Sequence, residues 1–172
     1  MPKVLVACVG NVFLGDDAFG VRVAERLASV RLPPDAIVKD FGIRSYDLAY
    51  ALMENWDRVI LVDAVQRGGA PGTVYIIEPE LSDSGTTAPA VDPHTMNPAA
   101  VLQLVSALGG RVPRMFVVGC EPASTEEDEE GRMELSEPVR AAVDEACEVI
   151  QRLIAEVVNA PASEDARQGA TQ

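Results

Sequence analysis

Residues 4–9 (VLVACV) are apolar without interruption and rich in β-formers, the composition of a strand covered on both faces. After Gly10-Asn11, apolar positions at Phe19, Val23, Leu27 and Val30 follow helical spacing from Asp17, and Pro33-Pro34 closes the segment. Residues 36–41 form a second strand candidate, and Ser45-Tyr46-Asp47-Leu48 starts a second helix reaching about Asn55. Residues 58–62 (RVILV) predict a third buried strand ending at Asp63, which completes a βαβαβ pattern. The next strand, 73–77, follows after only a loop containing Gly68-Gly69 and Pro71-Gly72. A parallel crossover needs about a dozen residues, so this strand is expected to run antiparallel at an edge. Residues 78–93, rich in Ser, Thr, Pro and Asp, read as a long loop; 97–108 as a helix; 115–118 as a fifth strand. A long last helix spans 137–158, with Val139, Val143, Ala146, Ile150, Leu153 and Val157 on its apolar faces.

The expected fold is therefore α/β: three αβα layers around a mostly parallel, twisted five-stranded sheet with one antiparallel strand and helices on both faces. Residues 1–158 are expected to form a single domain, and the Ala, Ser, Gln and Gly of 159–172 a disordered tail.

Composition narrows the partners. The chain has 172 residues, 48% of them hydrophobic and only 5% aromatic, enough for one aliphatic core. A net charge of −13, from 27 acids against 14 bases, argues against nucleic acid and against anionic membrane surfaces. Part of that excess is the run Glu126-Glu127-Asp128-Glu129-Glu130, read as a solvated loop or a site for a basic partner. Cys8, Cys120 and Cys147 show no CxxC pairing and lie in or after apolar runs, which points to packed thiols. With neither a signal-like segment nor an apolar span of membrane length, a reduced, cytoplasmic setting is expected.

Ligands in open α/β sheets gather beyond the carboxyl ends of the parallel strands, where a helix N-terminus commonly holds a phosphate. Here the adjacent Asp16-Asp17 pair occupies that place, Asp63 ends the third strand, and His94, the only histidine, lies in the loop before the third helix. Taken singly each has a plain structural explanation: Asp16 as a helix cap, Asp17 in a first turn, Asp63 as a loop cap, His94 as a loop histidine. Taken together, two carboxylates and an imidazole suit a borderline divalent metal such as nickel, zinc or manganese, with coordination positions left open.

Rival chemistries have less behind them. GxSxG, HExxH, GxxxxGK[ST] and GxGxxG are all absent, and Asp83-Ser84-Gly85 falls in a loop without the strands a pepsin-like site requires. A receiver-like signalling domain also pairs acids after strand one with an aspartate after strand three. It needs a lysine after strand five, where this chain has Gly119-Cys120-Glu121-Pro122, and a helix between strands three and four.

The segment "VLVACVGNVFLGDDAFGVRVAERL" resembles the N-terminal signature of the maturation endopeptidases of nickel-iron hydrogenases, through Gly10-Asn11, Asp16-Asp17 and Gly20. "VILVDAVQRGGAPGTV" is similar to that family's strand-Asp-Ala block, "DPHTMNPAAVLQL" to its histidine loop and helix, and "VVGCEP" and "ELSEPVRAAV" to its closing strand and last helix. Where many members carry a Gly-Gly-Thr-like turn after strand two, this chain reads "DFGIRSYDL". The resemblance implies an aspartic-type endopeptidase that trims a C-terminal extension from the hydrogenase large-subunit precursor after nickel insertion. It implies Asp17, Asp63 and His94 as the metal-contacting and catalytic set, nickel supplied by the substrate, and no permanently bound cofactor; the sequence itself leaves the oligomeric state open, with a monomer expected. A non-proteolytic, chaperone-like module holding the immature subunit would use the same ligands.

Overall fold

The computed structural model describes residues 1–79, 98–123 and 132–160. All six residues of the first apolar run are buried in strand β1 (Val4–Val9), which lies inside the sheet with helices covering both of its faces. Its neighbours are β2 (Ala36–Gly42) and β3 (Arg58–Ala64), both parallel to it, and beyond β3 lies parallel β5 (Met115–Cys120). The short β4 (Val74–Ile77) closes the far edge antiparallel to β5, with Val74 opposite Cys120. The order is β2-β1-β3-β5-β4, the mostly parallel five-stranded sheet with one antiparallel edge that the loop lengths predict.

Alternation along the strands divides the core. Val4, Val6 and Cys8 of β1, with Ile60, Val62, Val118 and Cys120, face one side, where α1 (Phe19–Leu27) and α4 (Glu137–Asn159) pack. Leu5, Ala7 and Val9, with Val59, Leu61 and Met115, face α2 (Ser45–Leu52) and α3 (Pro98–Ala107). Full burial of an aliphatic side chain is worth about 1.5–3 kcal/mol. Val139, Ile150 and Ile154 are each at most 1% exposed, so packing holds α4 far more firmly than any cap could.

Two helices depart from their expected limits. Asp16 and Asp17 lie in a 3-10 turn, Gly15–Ala18, ahead of α1, and the helix ends at Leu27, not Val30. Helix α2 stops at Leu52 instead of Asn55, as Met53 N–H and Glu54 N–H tighten onto the Tyr50 and Ala51 carbonyls. The Trp56 indole N–H also donates to the Ala51 carbonyl at 2.8 Å, sealing that end. The acidic run, the predicted tail from 161 onward and most of the 78–93 loop lie outside the described residues. No helix among the described residues is long and apolar enough to cross a membrane.

Candidate functional site

At the carboxyl edge of the sheet, β1 passes into Gly10, whose φ of +152° and surroundings both require glycine. A Cβ there would lie 2.1 Å from the Asp17 carbonyl oxygen, so the acidic turn rests directly on Gly10. The Gly10 N–H donates to the Gly42 carbonyl at 3.0 Å and ties the exits of β1 and β2 together. The following N–H, of Asn11, donates to Asp17 Oδ2 at 2.9 Å, which fixes this half-buried carboxylate against the β1 exit.

A 3-10 turn has three residues per turn, so adjacent side chains diverge by about 120°. Asp16 accordingly points elsewhere than Asp17 and is only 1% exposed. Its Oδ1 accepts the Ser136 N–H at 2.7 Å; its Oδ2 accepts the Ser136 hydroxyl and the Ala123 N–H, each at 2.8 Å. The expected cap of its own helix is not formed: neither the 3-10 turn nor α1 has a side-chain cap. Asp16 serves the start of α4 instead, where Ser136 is the N-cap residue.

Asp63 is the penultimate residue of β3, opposite Gly119 of β5 and 7% exposed. Its Oδ1 accepts the Ala64 N–H at 2.8 Å. By parity with Val59 and Leu61 it belongs to the α2/α3 side of the sheet. The 3-10 turn packs against β3, and Gly20 beside it fits between strand exits, a Cβ there being 2.1 Å from the Val9 oxygen and 2.5 Å from the Val62 oxygen. Asp17 and Asp63 therefore occupy neighbouring strand exits. His94 lies outside the described residues, and among those residues no three metal-binding side chains gather.

Another buried acid, Glu121, is given no role of its own by the sequence. It follows β5 directly, is 6% exposed, and accepts the N–H groups of Arg67 at 2.8 Å and Gly68 at 3.2 Å and the Tyr75 hydroxyl at 2.9 Å. The Arg67 N–H above all holds its carboxyl below the ordinary range, against the opposing pull of burial. The Arg67 guanidinium covers the Tyr75 ring at 5.7 Å. This cluster fastens the β3–β4 connection, which starts just after Asp63, onto β5. A lone acid in the apolar run "VVGCEP" was the available signal, since a buried charge needs donors.

Of the four acids here, Asp16 and Glu121 are thus engaged in holding the scaffold. The thiols offer no nucleophile: burial pushes Cys8 far up, Cys120 to about 12 and Cys147 to about 11. All three are buried, and burial favours the neutral thiol over the thiolate that attack would require.

A family model described as HycI, hydrogenase maturation protease, matches residues 21–153, a span that contains Asp63 and His94. The hydrogenase 2 maturation protease of Escherichia coli K12 is 34% identical over 126 residues, 72% of this chain and 76% of that protein. The hydrogenase expression/formation protein HupM of Azotobacter chroococcum is 31% identical over 170 residues, 97% of this chain and 79% of the relative. Among solved structures, the hydrogenase maturating endopeptidase HybD from E. coli superposes with a TM-score of 0.70 at 29% identity, covering 90% of this chain and 93% of that one. The [NiFe] hydrogenase maturation protease HybD from Thermococcus kodakarensis gives 0.66 at 25% identity, covering 88% and 99%. With the fold, the paired strand exits and these likenesses in agreement, the chain belongs to the hydrogenase maturation protease family and is a peptidase.

Proposed function

We propose that this peptidase removes a C-terminal extension from the large-subunit precursor of a nickel-iron hydrogenase once nickel has been inserted, and that it reads the nickel as the sign of completion. Asp17, Asp63 and His94 contact that metal, which arrives with the substrate; no resident cofactor is required. The metal holds and polarises the scissile carbonyl, water adds to it, and the C–N bond breaks to leave a new carboxylate and a free amine. The enzyme works as a monomer in the cytoplasm, and its charge of −13 suits a protein substrate better than a polyanion.

The observation that carries this reading is placement at the sheet edge: Asp17 and Asp63 stand at the neighbouring exits of the parallel strands β1 and β3, where ligands of open α/β sheets gather. Its test is Asp63→Asn in cells that express the cognate hydrogenase, with the mass of the large subunit as readout. The precursor is expected to accumulate untrimmed beside a folded, normally abundant variant; normal trimming by such a variant overturns the assignment. A non-proteolytic holder of the immature subunit predicts normal large-subunit mass in a strain lacking this protein, whereas the peptidase predicts that the extension remains.

A further inference from the structure

The 3-10 turn that carries Asp17 is four residues long and has no side-chain cap, so it is not a structure that holds itself. Besides the local bonds of Asn11 N–H to Asp17 Oδ2 and of Asp17 N–H to the Leu14 carbonyl, it has support from far along the chain. Gly15 N–H donates to the Arg132 carbonyl at 2.8 Å, and Asp16 gathers the Ala123 N–H with both the N–H and the hydroxyl of Ser136. Ser136 makes no side-chain cap for its own helix; its hydroxyl is spent on Asp16. The carboxylate also lies at the start of a 23-residue helix, the end where a negative group is favoured.

We propose that Asp16 is a positioning residue: by binding the N-cap residue of α4 and the β5 exit together, it fixes the orientation in which the neighbouring Asp17 is presented to the substrate. This rests on the reading of Asp17 as a substrate-contacting carboxylate. A rotation of the turn that displaced Asp17 would have to break all three bonds to Asp16 in concert. Asparagine cannot replace the acid, because either placement of its NH2 leaves one of the two backbone N–H donors, Ser136 or Ala123, without its acceptor.

The test uses purified full-length enzyme and purified, nickel-loaded large-subunit precursor, with kcat, KM and thermal midpoint measured for each variant. Asp16→Asn is expected to lower kcat about tenfold, and Ser136→Ala about threefold, at temperatures where both are fully folded, because small displacements of a reacting group are costly. KM should stay within about twofold, since Asp17 is one contact among the many that a folded protein substrate makes. Ser136→Thr keeps the hydroxyl and should restore kcat. Should Asp16→Asn fail to fold, the two Ser136 variants decide alone. Unchanged kcat in folded Ser136→Ala, or an equal loss in Ser136→Thr, overturns the positioning role. An Asp17→Asn control separates the two levels: if it cleaves normally, the functional reading falls and this one with it; if it is inactive while Ser136→Ala is normal, only the positioning role falls.

Discussion

Gly20 in α1 rests on the Val9 carbonyl oxygen so closely that a Cβ would lie 2.1 Å from it and 2.5 Å from the Val62 oxygen. Both obstacles are backbone atoms of central strands, so neither can give way as a flexible side chain would. Gly20→Ala is expected to destabilise the fold by at least about 3 kcal/mol, the upper end of overpacking costs. Urea unfolding checks this; a midpoint equal to that of the wild type would show that the helix can lift from the sheet without cost.

Glu121 makes stability depend on pH in a definite direction. Its carboxyl is held lower in the folded chain than the unfolded value of 4.5, chiefly by the Arg67 N–H, so its ionised form favours folding. That contribution is complete above the unfolded value and is lost as pH falls through the lower folded one. The stability gap between wild type and Glu121→Gln should therefore be constant near neutrality and narrow below about pH 4.5. Urea midpoints across pH measure it, and a gap independent of pH would contradict the assignment.

Helices α1 and α4 are joined by an ion pair, Arg26 to Asp144 at 2.8 Å, and by buried aliphatic packing. The paired side chains are 51% and 72% exposed, so Asp144→Asn should cost less than about 1 kcal/mol. Ile150, fully buried in the same layer, should cost about 2–5 kcal/mol when cut to Ala. Chemical denaturation of the two variants side by side reads the ranking, which would be refuted by the reverse order.

The turn after β2 is a candidate for substrate choice. Arg44 donates to the Phe41 carbonyl at 3.1 Å and to the Asp40 carbonyl, bracing the turn, while Tyr46 beyond it is 55% exposed. Exchanging residues 42–47 for those of a paralogue is expected to shift which large subunit is trimmed. Competition between two precursors in one reaction, resolved by mass, gives the readout; an unchanged preference would exclude this turn.

The parts of the fold legible in the sequence were those with local causes. The uninterrupted run 4–9 marks β1 as central, and the brevity of the connection before β4 dictates its antiparallel course. The limits of α2 were less legible, because its last turn is closed by Trp56, whose indole approaches only once the chain has folded back. Asp17 and Asp63 could be singled out by their places after strands one and three. Asp16 and Glu121 could not be assigned their roles, since their partners lie 107–120 and 46–54 residues away and leave no local pattern. Charge at a strand exit tells the reader that a partner must exist, and only the packed chain says which.

The bond between Asp16 and Ser136 spans 120 residues, so it also orders events in time. During synthesis β1 and the acidic turn leave the ribosome first, and the sheet can begin to assemble while α4 is still unmade. The turn receives its last tether only when the C-terminal helix docks, a late contact of large sequence separation. A chain released before residue 136 would carry both Asp17 and Asp63 yet lack the Ser136 bonds to Asp16, so under the positioning role proposed for Asp16 competence would wait for the C-terminal helix.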